Sequence, residues 1–149
     1  MKIITTASEF CDWHKHQSGS LGFVPTLGAL HDGHVSLIRA SKKRCDFTVV
    51  SIFLNPTQFS PNEDLRSYPK NVDTDIKCLE ALWIDVLFLP TRGEMYDNVN
   101  SVDVPSTNIF KKLEGISRPH FFYGVTTIVA KLFNVIQPTH TFFGEKDAQ

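Results

Sequence analysis

Phe47-Thr48-Val49-Val50-Ser51-Ile52-Phe53-Leu54 is the stretch that decides the fold. It is β-branched or aromatic almost throughout and apolar on both faces, as a strand buried between two layers should be. Asn55-Pro56 stops it, because proline has no N–H to give to a ladder. Upstream, Leu21-Gly22-Phe23-Val24-Pro25 reads as a second short buried strand. A turn over Thr26–Asp32 carries Gly28, and a helix then runs from about Gly33 to Arg44 with Val35, Leu37, Ile38 and Ala40 apolar. Its last turn holds Lys42, Lys43 and Arg44, where cations complement the helix dipole. Strand, helix and strand in succession form a βαβ unit, which implies parallel pairing.

The alternation continues in both directions. Ser8 is a plausible N-cap for a first helix to about Gln17, with Phe10, Trp13 and His14 on one face and Ser18-Gly19-Ser20 ending it. Downstream, Asn62–Pro69 is a polar loop, and Asn71 or Val72 opens a helix to about Trp83 with Ile76, Leu79 and Leu82 on one face. Asp85–Pro90 is a third strand, Thr91–Pro105 is irregular, and Ser106 caps a short helix to Leu113. Tyr123–Val135 is a helix with Ile128, Leu132, Phe133 and Val135 apolar, and Thr139–Phe143 is a last short strand before Gly144. The expected fold is α/β: one Rossmann-like domain over residues 1–149, a doubly wound parallel sheet with helices on both faces. In such sheets ligands sit outside the carboxyl ends of the strands, near the topological switch. That directs attention to residues 25–34, 55–59, 90–96 and 144–149.

Composition narrows the function classes. The 149 residues are 42% hydrophobic and 21% charged, near the globular average, and long disordered stretches are not expected. The net charge of -1 lacks the basic excess of a nucleic-acid or anionic-membrane binder. Cys11, Cys45 and Cys78 are odd in number and far apart, which fits a reducing compartment and no metal knuckle. The opening Met1-Lys2-Ile3-Ile4-Thr5-Thr6 lacks a signal peptide's apolar core, and no run of about 18 apolar residues exists to span a membrane. The expectation is a cytoplasmic chain with no membrane partner.

Three constellations lie at those strand ends. The first is Pro25-Thr26-Leu27-Gly28-Ala29-Leu30-His31-Asp32-Gly33-His34. Gly28 admits a ligand close to the backbone, and a helix starting near Gly33 aims its free N–H groups at the switch point. Two imidazoles three residues apart share one space and can donate to phosphate oxygens whose charge grows during attack at phosphorus. Taken alone, the same pair is also compatible with solvated turn histidines or an incidental metal pair. The second is Asn55 to Phe59, where Asn55 and Gln58 offer uncharged donors and acceptors suited to a small polar acid, or simply form a turn. The third, Gly144-Glu145-Lys146-Asp147, reads as a charged surface turn or as a phosphate lysine beside a carboxylate able to reach a ribose or a metal.

H-x-G-H after a strand resembles the signature of the nucleotidylyltransferase superfamily. The longer string Val24-Pro25-Thr26-Leu27-Gly28-Ala29-Leu30-His31-Asp32-Gly33-His34, with Ser36-Leu37, resembles the pantoate–β-alanine ligase family. Phe53-Leu54-Asn55-Pro56-Thr57-Gln58-Phe59, Tyr68-Pro69-Lys70, Leu113-Glu114-Gly115, Arg118-Pro119, Gly124-Val125-Thr126-Thr127, Lys131-Leu132-Phe133 and Phe143-Gly144-Glu145-Lys146-Asp147 extend the likeness along the chain. Leu27 stands for a more usual Met and Lys70 for Arg. The family's R-P-G-H-F-x-G-V reads Arg118-Pro119-His120-Phe121-Phe122-Tyr123-Gly124-Val125 here, so the usual His position holds Phe121.

The resemblance implies an ATP-dependent ligase. ATP adenylates the pantoate carboxylate with release of pyrophosphate, and the amine of β-alanine then displaces AMP to give pantothenate. It implies catalytic roles for His34, His31 and Lys146, and nucleotide contacts along Leu27–His34 and Gly144–Asp147. It also implies pantoate and β-alanine contacts at Gln58 with Asn55 beside it, and magnesium carried by ATP with Asp147 as an optional ligand. In the family a homodimer forms; the edge of this domain, with Thr91–Pro105 and Arg118–Tyr123, is its expected seat. The family continues with a second Gln one position past Gln149, a K-M-S-S-R-like segment and a smaller lid domain, so the chain is expected to be an N-terminal half. A non-catalytic ATP-binding fragment and another H-x-G-H nucleotidylyltransferase are the alternatives.

Overall fold

The computed structural model describes residues 1–54, 71–98, 112 and 114–148. Strands β1 (Lys2–Ile4), β2 (Leu21–Thr26), β3 (Phe47–Ile52), β4 (Val86–Phe88) and β5 (His140–Thr141) form one sheet. Its order is β1-β4-β3-β2-β5, and every pairing is parallel. The register places Phe23 beside Val49 and Val49 beside Val86, and likewise Val24 beside Val50 and Val50 beside Leu87. Because side chains alternate across a strand, the first rung faces one layer and the second the other. Helices α1 (Ala7–Lys15) and α5 (Pro119–Ile136) cover the Phe23 face through Phe10, Ile128, Leu132 and Ile136. Helices α2 (Asp32–Arg44) and α3 (Val72–Ala81) cover the Val24 face through Ile38 and Leu79. This is the doubly wound α/β architecture expected from the sequence.

Strands β2, β3 and β4 step in one direction along the sheet, whereas β5 adds to the opposite side of β2. The switch point therefore lies between β2 and β5. The turn after β2 and the turn after β5 flank it.

Several boundaries differ from the sequence expectation. Nothing in the sequence predicts β1. It is three residues long with only Ile4 buried, too short to display an alternation, and pairing with β4 creates it. Thr6, not Ser8, caps α1: Thr6 is extended and its hydroxyl accepts the Glu9 N–H at 3.2 Å, while Glu94 Oε1 accepts from Ala7 N at 2.7 Å. α5 begins at Pro119, four residues before the expected Tyr123, because the fixed φ of proline suits a first helical turn. The expected strand Thr139–Phe143 contracts to His140–Thr141. Thr91–Pro105 contains a π-helical turn at Glu94–Asn98, tied to α5 by Lys131, whose Nζ donates to Met95 O at 2.8 Å. The loop Asn62–Pro69 lies outside the described residues, as does all of the short helix expected over 106–113 except Lys112. A four-residue helix, α4 (Glu114–Ser117), stands just after it.

Candidate functional site

The sequence folds its H-x-G-H into a cap. His31 is extended (φ -135°, ψ 175°) and occupies the N-cap of α2. Its Nδ1 accepts from Gly33 N at 3.1 Å, and His34 Nδ1 accepts from His31 N at 3.3 Å. This reciprocal arrangement is a capping box in which both side chains are imidazoles. The rings lie 4.0 Å apart between centroids at 34°. A Cβ at position 33 would sit 2.8 Å from His31 Cε1, so the glycine between the histidines is what lets the ring fold back on the backbone.

Hydrogen bonding assigns the tautomers. A neutral imidazole whose Nδ1 accepts carries its proton on Nε2. Both rings therefore keep an Nε2–H for another acceptor. Burial holds the His34 pKa below the ordinary value, aided by the His31 and Lys146 charges and opposed by Asp75 and Asp147. At neutral pH His34 is an uncharged donor.

The preceding turn is built from distant parts. Gly28 has φ +89°, and Ala29 has φ +54°. The Thr26 hydroxyl donates to Ser51 O at 2.8 Å and accepts from Gly28 N at 3.3 Å. Asp75, on α3, accepts from Ala29 N through Oδ2 and from Leu30 N through Oδ1, both at 2.9 Å. Sequence reasoning passed over Asp75. The available signal was its place four residues before Leu79 on the apolar stripe of α3, where a carboxylate needs partners.

Across the switch point, Phe142 N donates to Phe23 O at 2.9 Å and extends β5 beside β2. Gly144 then leads a 3₁₀ turn over Glu145–Asp147, with Lys146 Nζ 2.7 Å from Asp147 Oδ1. Both charged side chains are exposed and near enough to act on His34. Leu27–His34 and Gly144–Asp147 are thus brought together, whereas Asn55 and Gln58 lie outside the described residues. Among the described residues no group of three or more His, Cys, Asp or Glu is arranged to hold a metal ion. No described helix is long and apolar enough to cross a membrane.

A cleft of about 230 Å³ opens beside the turn, lined among others by Gly28, Ala29, Leu54, Asn71, Asp75 and Arg92. A larger open depression, about 550 Å³, lies along α1 between Lys2 and Gln17. It borders edge strand β1, with two strands separating it from β2. The smaller cleft lies at the carboxyl ends of β2, β3 and β4, against the turn that leads into α2.

Fold and site together define an α/β domain of the Rossmann-like class, with a histidine-capped helix at the topological switch. A sequence model of the family described as pantoate-beta-alanine ligase matches residues 2–149, and the chain belongs to that family. It is 44% identical over 151 residues to pantothenate synthetase of Staphylococcus epidermidis, covering 99% of this chain and 53% of the relative. It is 47% identical over 152 residues to that of Thermotoga petrophila, covering 100% and 54%. The solved pantothenate synthetase of Thermus thermophilus superposes with a TM-score of 0.89 at 39% identity, covering 99% of this chain and 53% of that one. The pantoate-beta-alanine ligase of Francisella tularensis, solved in complex with beta-gamma ATP and beta-alanine, gives 0.86 at 40% identity, covering 95% and 55%. The chain spans about half the length of these relatives.

Proposed function

We propose that this chain is the nucleotide- and pantoate-binding half of an enzyme that condenses pantoate with β-alanine at the expense of ATP. Family membership supports the reaction class, and the F. tularensis relative was solved with an ATP species and beta-alanine. The single observation that carries the reading is the paired imidazoles at the start of α2, whose Nε2 atoms have no partner among the described residues, with Lys146 near enough for its charge to act on His34.

In this reading the pantoate carboxylate attacks the α-phosphorus of ATP and pyrophosphate leaves. The β-alanine amine then attacks the acyl carbon of the pantoyl adenylate, giving pantothenate and AMP. The substrate carboxylate is the nucleophile, so no activated Ser or Cys is required. His34, and His31 beside it, donate through Nε2–H to phosphate oxygens as negative charge builds on them. Lys146 adds a positive charge on the same side. Magnesium travels with the ATP phosphates, with Asp147 as an exposed carboxylate nearby. Gln58 and Asn55 hold the acid. A homodimer through the domain edge and a cytoplasmic location complete the proposal.

The chain's coverage of about half of each relative favours one further reading, an ATP-binding fragment that turns over poorly without the remaining half. Pantoate-dependent pyrophosphate release and pantothenate formation should be measured for residues 1–149 and for a form extended by the second half of a relative. The expected result is activity dependent on pantoate in the extended form and much less in the chain alone. Comparable turnover by both would overturn the fragment reading. Pyrophosphate release independent of pantoate in both would overturn the ligase reading in favour of another nucleotidylyl transfer.

A further inference from the structure

The turn after β2 is held by a residue that comes from outside it. Asp75 is only 4% exposed, and each of its carboxylate oxygens accepts one backbone N–H, from Ala29 and Leu30. Gly28 packs directly on it, since a Cβ there would lie 3.3 Å from Oδ2. Two consequences follow from this geometry. Ala29 stands at φ +54°, a conformation an alanine keeps only where its surroundings impose it, and the paired bonds to Asp75 are what impose it. The N–H groups of Ala29 and Leu30 are also already satisfied, and a carboxylate lies behind them. A phosphate gains nothing from those two amides and is repelled by the charge beneath them. Among the described residues, the donors left around α2's start are its first turn, the Nε2–H groups of His31 and His34, and the Lys146 ammonium, with Arg92 on the cleft side of the turn.

We infer that Asp75 is a positioning residue of the nucleotide site. It locks Leu27–Leu30 in the conformation that opens the Gly28 backbone to a ligand and leaves the phosphates to His31, His34 and Lys146. This inference rests on the nucleotide reading above. An asparagine cannot replace the carboxylate, because it offers one carbonyl oxygen and turns an amide N–H₂ toward the second N–H.

Asp75→Asn and Asp73→Asn isolate the effect, because both remove an acid from the first turns of α3 and only Asp75 contacts the turn. In the whole 149-residue chain, hydrogen exchange of the Ala29 and Leu30 amides is measured by NMR, and ATP-Mg affinity by calorimetry. In wild type and in Asp73→Asn both amides should exchange slowly. In Asp75→Asn at least one should lose protection by tenfold or more, with ATP binding weakened at least tenfold while the sheet amides stay protected. A helix-stabilising role alone would affect both variants alike and would leave residues 29 and 30 unmoved. Unchanged exchange at these two amides in a folded Asp75→Asn chain would overturn the positioning role, as would ATP affinity within twofold of wild type. Should the wild-type chain bind no ATP, the nucleotide reading fails separately, and the amide exchange still decides whether Asp75 holds the turn.

Discussion

The Nδ1 of His34 accepts the backbone N–H of His31, and the Nδ1 of His31 accepts that of Gly33, which fixes the two rings 4.0 Å apart with no partner for either Nε2–H among the described residues. One local device thus does two things. It caps α2, and it presents a pair of imidazole donors where the helix dipole already favours an anion.

His34 should titrate below the roughly 6.5 of a free imidazole, because burial disfavours its charged form. Between its folded-state value and about 6.5, the unfolded chain holds a proton that the folded chain lacks. The stabilising contribution is therefore complete above about pH 6.5 and is lost as pH falls through the folded value. NMR titration of the ring reads the first point. Denaturation curves from neutral pH downward, beside His34→Gln, read the second: wild type should lose more stability through this window. A His34 midpoint at or above that of a free imidazole would contradict the assignment.

Replacing His34 with Ala in a catalytically active extended form should slow pyrophosphate release by about 10²–10³, the usual cost of one transition-state donor. ATP binding should weaken much less, since the donor matters most once charge has built up. A rate within twofold of wild type would remove His34 from the chemistry.

Gln58→Ala in the same form should raise the pantoate requirement far more than the ATP requirement. A buried substrate group left without its partner costs about 1–3 kcal/mol. Steady-state kinetics with each substrate varied in turn would decide it, and equal effects on both would sink the assignment of Gln58 to the acid.

Trp83 is a stability liability that can be removed. It stands at φ +55° at the end of α3 and is 81% exposed, so its ring gains little from burial while its backbone occupies the left-handed region. Lys42 Nζ donates to its carbonyl, a bond any residue would keep. Trp83→Gly should stabilise the chain by about 0.5–1 kcal/mol, raising the melting temperature by ~1–4 °C. A melting temperature equal to or below that of wild type would count against it.

The sequence by itself determined the parallel α/β class, most of the helices and the strand–turn–helix that carries His31 and His34. The physical reason is that these are local: apolar periodicity over α2 and α3, continuous β-branched runs in β2 and β3, and a cap whose members are three residues apart all act within one or two turns of chain. The tertiary structure alone decided what depends on distant segments meeting. β1 exists because β4 offers it a ladder, and α1 is capped in part by Glu94. Lys146 reaches the field of His34 because β5 pairs with β2 rather than following β4 along the sheet. Asp75 looks in the sequence like one of two acids at a helix start, Asp73 being the other. Only folding buries one of them under the Ala29–Leu30 amides, where two N–H groups from another element satisfy a carboxylate that could not otherwise leave water.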